Sequence, residues 1–277
     1  MIEAPEAVNL AAQLNKTVKG KRITVAMAGF TPHKFTFFTD TPERHEEMLI
    51  DKTVGNSHAY GGMVEIEIED MRLLFNDGVN LTYYAPGFKL PAKHQLLLGF
   101  NDESCLIVSV RMYGGISCYP QGKLESGLKE YFETARTKPQ VLSDDFTREY
   151  FMSLINDESA QKKSAKALLA TEQTIPGLGN GVLQDILYNA GIHPKTKVKD
   201  IPADKREKLY GALCATLSEM AAKNGRSSES DLFGISGGYI SWLSKDTAGQ
   251  PCTRCGSIIT KENYMGGSIY YCNGCQK

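Results

Sequence analysis

Four cysteines near the C-terminus constrain this sequence more than any other feature. They form two C-x2-C pairs separated by sixteen residues: Cys252, Cys255, Cys272 and Cys275. At that spacing each pair directs two thiolates at one point, and four thiolates complete the closed tetrahedral shell of a structural Zn2+ ion. The sequence therefore predicts a zinc ribbon whose β-hairpin lies between the pairs and turns at Gly266 and Gly267.

The remaining cysteines, Cys105, Cys118 and Cys214, are scattered among apolar neighbours. An odd total of seven and the clustering of four argue against a secreted disulfide framework. Two disulfides within the ribbon are the alternative to zinc, and a reducing compartment disfavours them. We expect the three scattered cysteines to be small buried hydrophobic side chains.

The charge and hydropathy of the chain limit the kinds of partner that it can bind. Lys plus Arg (31) nearly balance Asp plus Glu (32), so the whole chain has no field that would attract a polyanion, and any nucleic-acid site must be a local patch. No run of 18 or more apolar residues occurs, and the N-terminus lacks the pattern of a signal peptide. These features predict a soluble, cytoplasmic protein that does not contact a membrane.

Two kinds of periodicity divide the chain. Residues 5–18 have helical spacing, and from residue 21 to about 119 β-branched and aromatic runs alternate with Gly, Asn and Asp. In the run from Val64 to Glu69, apolar residues alternate with three glutamates, which is typical of a half-buried strand with a solvated acidic face. This half is predicted to form an antiparallel sandwich or barrel.

A polar stretch at residues 120–146 precedes four segments of helical spacing, and a Gly- and Ser-rich connection at 224–250 leads to the cysteines. The predicted fold class is α+β, with a β-sandwich domain at 1–132, a helical domain at 147–223, and a connecting loop with the zinc hairpin at 224–277.

The stretch from Gln173 to Pro194 sets a Gly-rich double turn before a helix, with Asn180 predicted at the N-cap and Gly191 at its end. Glycines there allow close approach of a ligand, and the free N–H groups of a helix start attract phosphate. The alternative is that Asn180 only caps its helix.

The stretch IPGLGNGVLQDILYNAGIHP, followed by the cysteine module ending in CNGCQ, resembles the formamidopyrimidine-DNA glycosylase and endonuclease VIII family. Glu3, Pro5 and Glu6 in MIEAPEA fit the family's N-terminal signature except at its first position. The resemblance covers essentially the whole chain. It implies an N-terminal helix, a β-sandwich, a helix-two-turn-helix domain and a zinc hairpin, acting as a monomer on damaged double-stranded DNA.

The resemblance also assigns DNA contacts. It implies that Asn180 and a lysine of the preceding helix, Lys166, hold the phosphates that flank a lesion. It implies that Arg111 and Tyr113 enter the gap left by an everted base, although an aromatic residue in a strand is more often part of a core. A basic stretch offers either further phosphate contacts or a solvated helix face. Its residues are Lys195, Lys197, Lys199, Lys205, Arg206 and Lys208.

For the chemistry, the resemblance implies a bifunctional DNA glycosylase and abasic-site lyase of base excision repair. The amine of residue 2, here Ile2, would attack the sugar carbon that bears an oxidised base, Glu3 would act as acid and base, and Glu6 would support it. An α-amine suits this role because it titrates near 8, whereas a lysine titrates near 10.4.

Three positions depart from the family pattern. Ile2 replaces the usual proline, and its bulk predicts poor removal of Met1, which would displace the amine by one residue. Gly61 or Gly62 stands where a phosphate-binding lysine is usual, and Lys52 lies too far back to replace it. Gly266 or Gly267 replaces an arginine of the hairpin turn. The alternatives are therefore a protein that binds damaged or abasic DNA without cutting it, or a ribbon that contacts another protein.

Overall fold

The computed structural model describes residues 1–277. Helix α1 spans Ala4–Thr17, and at its start the Glu6 carboxylate accepts a hydrogen bond of 3.2 Å from the backbone N–H of Glu3, while Pro5 occupies the first turn. Its apolar face, including Leu10 and Leu14, is buried against the sheet. The predicted N-terminal helix is confirmed.

Seven strands form one sheet in the order β1-β6-β7-β5-β4-β3, with β2 paired to β7 outside this path. All pairs are antiparallel except β2 with β7, which is parallel. The strands are β1 Ile23–Ala28, β2 Thr36–Phe38, β3 Val54–Tyr60, β4 Met63–Ile68, β5 Met71–Tyr84, β6 Leu96–Phe100 and β7 Cys105–Pro120. A short helix, α2 (Pro42–Leu49), joins β2 to β3.

The sequence predicts that the glutamates in and after β4 form a solvated face, and this prediction is wrong for Glu65, the first of them. Glu65 is only 7% exposed and accepts a hydrogen bond of 2.8 Å from the hydroxyl of Tyr119. The polar stretch at 120–146 is also more than a spacer, because it contains helix α3, Lys129–Thr137. Phe132 and Ala135 of α3 pack with Leu74 and Met63 on the second face of the sheet, so this face of β4 is buried at Met63 and Glu65 and partly exposed at Glu67.

The helical part has its own core. It consists of α4 (Arg148–Asn156), α5 (Ala165–Ala170), α6 (Asn180–Ala190) and α7 (Ala203–Ala222). Apolar residues of α6 and α7 dominate this core. Gly191 ends α6 with a φ of 69°, the left-handed conformation that glycine adopts at little cost. Ala4 of the N-terminal segment packs into the same core, which joins the two parts of the molecule.

The last element is the hairpin of β8 (Ile259–Tyr264) and β9 (Gly267–Cys272). Its turn lies one residue earlier than expected, with Met265 and Gly266 at φ values of 49° and 72° and Gly267 already in β9. The α+β architecture with its terminal hairpin agrees with the prediction. None of the helices has the length and apolar character needed to cross a membrane.

Candidate active site around the N-terminal segment

The carboxylate of Glu3 caps helix α6. It accepts hydrogen bonds from the backbone N–H groups of Gly179 at 3.3 Å, Gly181 at 2.9 Å and Val182 at 2.8 Å. These are donors that a helix start leaves without internal partners, and its positive end favours an anion. Glu3 is only 4% exposed. One side chain therefore joins the N-terminal segment to the Gly-rich turn more than 170 residues away.

Because Glu3 supplies the cap, Asn180 does not, and the N-cap prediction for Asn180 is wrong by one position. Gly179 occupies the N-cap, and Asn180 is the first residue of α6. Its side chain is exposed and makes no hydrogen bond within the chain. The side chain lies close to the hairpin, since a Cβ at Gly267 would stand 2.4 Å from its amide nitrogen. Asn180 thus presents a free amide beside the hairpin turn.

Arg226 is buried between the two glutamates. Its guanidinium donates to the Glu6 carboxylate at 3.0 and 2.8 Å and to Glu3 at 3.4 Å, and its backbone N–H donates to Glu6 at 3.1 Å. Burial alone would raise the pKa of Glu6, but the charge and hydrogen bonds of Arg226 outweigh it and lower that pKa. The two carboxylates raise the pKa of Arg226 despite its burial. Glu6 and Arg226 are therefore both ionised at neutral pH.

Residues 1 and 2 are held from several sides. The Ile2 N–H donates to the carbonyl of Asp77 at 2.7 Å, and its side chain is 7% exposed in the sheet core. The Met1 carbonyl accepts from Arg226 at 3.2 Å, and the Met1 amine pairs with Glu229 at 2.5 Å. Burial raises the pKa of the Asp77 carboxyl, although the nearby amine opposes the shift.

Gly61 and Gly62 stand where a lysine is expected, and close packing explains why both are glycines. Gly61 has a φ of 58°, and a Cβ there would lie 2.8 Å from the backbone nitrogen of Gly177. A Cβ at Gly62 would lie 3.0 Å from the carbonyl oxygen of Ile2. This turn packs so closely on the Gly-rich turn and the N-terminal segment that a longer side chain would force them apart.

Lys166 lies near the free amide of Asn180 but is not a free surface cation. It is 1% exposed, and its ammonium donates a hydrogen bond to the carbonyl of Tyr264 in β8. Burial lowers its pKa. Lys166 and Asn180 therefore both contact the hairpin, Lys166 at the Tyr264 carbonyl and Asn180 beside Gly267.

Arg111 and Tyr113 lie on β7 and are exposed, Tyr113 by 41%. The alternative of an aromatic core residue is therefore wrong for Tyr113. Tyr113 is a neighbour of the N-terminal site, because Asp77, whose carbonyl receives the Ile2 N–H, pairs with Gly114, the residue after Tyr113. Gly78 also packs on the Tyr113 carbonyl.

Much of the basic stretch is engaged within the fold. Lys195 pairs with Glu262 of the hairpin, and Lys205 donates to the carbonyl of Gly191 at 2.9 Å. Arg206 donates to the carbonyls of Ile201 and Val198. These contacts hold helix ends and the hairpin, which favours a structural role for these three residues over a row of phosphate contacts.

The four C-terminal cysteines converge and could hold one metal ion. Their Sγ atoms all lie within 4.8 Å of one another, with Cys252 3.8 Å from Cys275 and Cys255 3.4 Å from Cys272. Thiolates about 2.3 Å from a tetrahedral centre would lie at comparable separations, whereas a disulfide requires about 2.05 Å. The hydroxyl of Tyr188 lies 3.0 Å from the sulfur of Cys252 and anchors the module to α6.

Sequence reasoning missed Arg226 and Glu229. Both lie in the Gly- and Ser-rich stretch after α7, which looked like a connection because its composition is that of a loop. The available signal was that one arginine stands among small residues in NGRSS, while the N-terminal segment carries two glutamates that need a counter-ion if buried.

A largely antiparallel sheet joined to a helical part and a four-cysteine hairpin defines the class of protein. No family model matches the chain. The formamidopyrimidine-DNA glycosylase of Lactobacillus johnsonii is 27% identical over 285 residues, covering 100% of this chain and 99% of the relative. That of Carboxydothermus hydrogenoformans is 30% identical over 185 residues, covering 66% and 61%.

Among solved structures, the Lactococcus lactis Fpg in complex with an abasic site containing DNA has a TM-score of 0.81 at 21% identity, covering 99% of both chains. MutM (Fpg) from Thermus thermophilus has a TM-score of 0.78 at 19% identity, covering 99% of this chain and 98% of the other. These likenesses show the fold. In sequence, the chain is similar over its full length to formamidopyrimidine-DNA glycosylases.

Proposed function

We propose that this protein is a DNA repair glycosylase with abasic-site lyase activity, which acts as a monomer on oxidised bases in double-stranded DNA. One observation carries the proposal: Glu3, two residues along the chain from Met1, caps the same helix whose first residue presents the free amide of Asn180. A catalytic carboxylate and a phosphate contact are thereby held on one rigid element, which is what positioning of a reacting sugar requires.

The N-terminal amine attacks C1′ of the damaged nucleotide, the bond from C1′ to the base breaks, and the base leaves with a proton. Loss of the amine proton and opening of the sugar yield a Schiff base. Glu3 moves protons at the sugar, and Glu6 with Arg226 fixes Glu3 and the N-terminal backbone. Removal of a 2′ proton then breaks the C3′–O bond and nicks the strand, and water releases the amine.

Binding uses the surface around the hairpin. Asn180 donates its free amide to a phosphate, and Lys166 supplies positive charge at the hairpin. Arg111 and Tyr113 fill the gap left by the everted nucleotide. The four cysteines hold a structural Zn2+ ion that keeps the hairpin folded and in contact with α6, and no coordination position remains for chemistry.

The test is borohydride trapping on duplex DNA that contains an abasic site, followed by peptide mass spectrometry of the cross-link. Once Met1 has been removed, a covalent complex through the terminal amine is expected, and a cross-link through an internal lysine would overturn this mechanism. Base release from duplexes with single oxidised bases, scored by cleavage on a denaturing gel, tests the glycosylase step.

A non-catalytic protein that binds damaged or abasic DNA is the second candidate. It is favoured by the pairing of the Met1 amine with Glu229, because this contact must be broken before the amine can approach a sugar carbon. Tight binding to abasic duplex without any trapped complex, in every N-terminal variant, would support this candidate over the enzyme.

A further inference from the structure

A small pocket lies between the sheet and helix α3, and none of the residues that line it belongs to the groups assigned to the reaction or to DNA binding. Glu65 of β4 is part of its lining and is only 7% exposed. One oxygen of Glu65 accepts the hydrogen bond from the Tyr119 hydroxyl. The other oxygen makes no hydrogen bond within the chain, yet it stays accessible. The pocket therefore contains a buried carboxylate with one free oxygen.

The basic side chains of the sheet near Glu65 are engaged with other groups. The guanidinium of Arg72 donates to two backbone carbonyls at 3.1 and 2.7 Å and lies 3.9 Å from the carboxylate of Glu67. His58, which pairs with Glu65 across the strands, directs its ring to the same Glu67 at 3.2 Å. Neither side chain forms an ion pair with Glu65.

The remaining cation of the pocket lies on α3. Arg136 pairs there with Glu133 at 2.7 Å, one turn earlier on the same helix. The lining as a whole contains three carboxylates and two guanidinium groups, which leaves one negative charge in excess. Since the other two carboxylates each have an arginine partner, the excess charge is that of Glu65. A buried charge without a partner is costly, so a cationic ligand would be stabilised here.

The walls of the pocket indicate the kind of cation. Three aromatic residues line it, Tyr60, Tyr119 and Phe132, and the rings of Tyr60 and Phe132 meet edge to face at 5.6 Å. Aromatic rings attract an ammonium group and also cover the alkyl part of an organic cation. The volume is about 270 Å³, which is below the usual range for drug-sized ligands and suits a molecule of a few heavy atoms.

We propose that this pocket, which we call the Glu65 pocket, binds a small organic amine in its protonated form. The ammonium group donates a hydrogen bond to the free oxygen of Glu65, and the alkyl part lies against the rings of Tyr60 and Phe132. Because Glu65 belongs to the sheet and Phe132 to α3, the bound amine joins the two elements. The inference does not depend on the proposed function, since no group of the reaction takes part.

The test titrates n-butylammonium chloride into the unaltered full-length protein by isothermal titration calorimetry, at an ionic strength held constant with sodium chloride. Saturable binding at one site per chain is expected, and 1-butanol, a neutral analogue of the same length, should bind at least about tenfold more weakly. Glu65→Gln, which removes the charge but keeps an acceptor for the Tyr119 hydroxyl, should weaken n-butylammonium binding at least about tenfold. Absence of saturable binding, or equal binding of 1-butanol, overturns the proposal.

The matched control is Glu130→Gln, because Glu130 is an exposed carboxylate of α3 outside the pocket, and it should leave binding unchanged. Tyr119→Phe keeps both the ring and the charge of Glu65 and should retain binding. Thermal unfolding shows whether each variant is folded, and n-butylammonium should raise the unfolding temperature of the unaltered protein but not that of Glu65→Gln. Equal losses of binding in Tyr119→Phe and Glu65→Gln would show that packing, not the charge of Glu65, holds the amine, which also overturns the proposal.

Discussion

Arg226 and Glu6 form a buried ion pair in which the guanidinium donates at 3.0 and 2.8 Å to the two carboxylate oxygens. Both side chains are about 5% exposed or less. The pair ties the segment after α7 to the first turn of α1, and through Glu3 to the start of α6. Three segments far apart in sequence are therefore held by one charged cluster.

Removing the cation from this cluster should be costly. Arg226→Met is expected to destabilise the protein by about 3–5 kcal/mol, because it leaves two buried carboxylates without a counter-charge. Urea unfolding followed by circular dichroism measures the loss. Arg44→Met is the control, since the Arg44–Glu47 pair is more than half exposed on both sides and should contribute less than about 1 kcal/mol. Equal effects of the two substitutions would contradict the assigned role of Arg226.

The cysteine module should contain zinc. Freshly purified, unchelated protein is expected to carry one zinc ion per chain, and Cys272→Ser should lose the metal and unfold the hairpin, because metal binding and folding of such a module are linked. Elemental analysis decides the matter, and less than about a tenth of an equivalent of zinc would rule the site out. Cys214→Ser, outside the module, should keep the metal.

Asn180 should contribute to DNA binding without contributing to the fold. Asn180→Ala is expected to weaken binding to abasic-site duplex by about 1–3 kcal/mol through a lost phosphate contact. The helix cap is unaffected, because Glu3 supplies it. Asn101→Ala, on the exposed turn between β6 and β7, is the control. Unchanged affinity at fixed, low salt would show that Asn180 does not contact DNA.

Trapping through the terminal amine should depend on whether Met1 is retained. With Met1 in place we expect little borohydride-trapped complex with abasic DNA, because its amine pairs with Glu229 and lies one residue from the expected position. Intact mass establishes whether Met1 is present. A variant with Pro at position 2, from which Met1 has been removed, should recover trapping, and Glu3→Gln in it should slow base release more than trapping. Efficient trapping through a retained Met1 would show the displacement argument to be wrong.

Asp185 should make stability depend on pH. It accepts hydrogen bonds from Tyr239, Trp242 and Leu243, yet burial raises its pKa from 3.8 to about 6. Because the folded state keeps this proton to higher pH, the stabilisation is fully present below about pH 4 and is lost as the pH rises through about 6. Such a shift corresponds to at most about 3 kcal/mol.

The measurement compares the unaltered protein with Asp185→Asn by urea unfolding at several pH values. The difference in unfolding free energy should fall between about pH 4 and about pH 7, because only the unaltered protein titrates at this position. Asp246→Asn, at an exposed position, is the control substitution. If the difference in unfolding free energy for Asp185→Asn stays constant with pH, the pKa of the Asp185 carboxyl is not raised.

The sequence by itself determined the elements and the metal-ligand set. Period-two runs predicted the strands, helical spacing predicted α1 and α4 to α7, and the two C-x2-C pairs predicted four converging thiols. Each of these signals is local, because a strand, a helix or a knuckle is specified by residues only a few positions apart.

Only the tertiary structure decided how the site is held. Asn180 has the residue type of an N-cap, but Glu3 reaches α6 from the other end of the chain and takes that role. Arg226 stands in a stretch with the composition of a loop, and its burial follows from the two glutamates that need its charge. Such pairings depend on distances between segments that local spacing does not specify, because the energy of a buried charge is set by whichever group folding brings beside it.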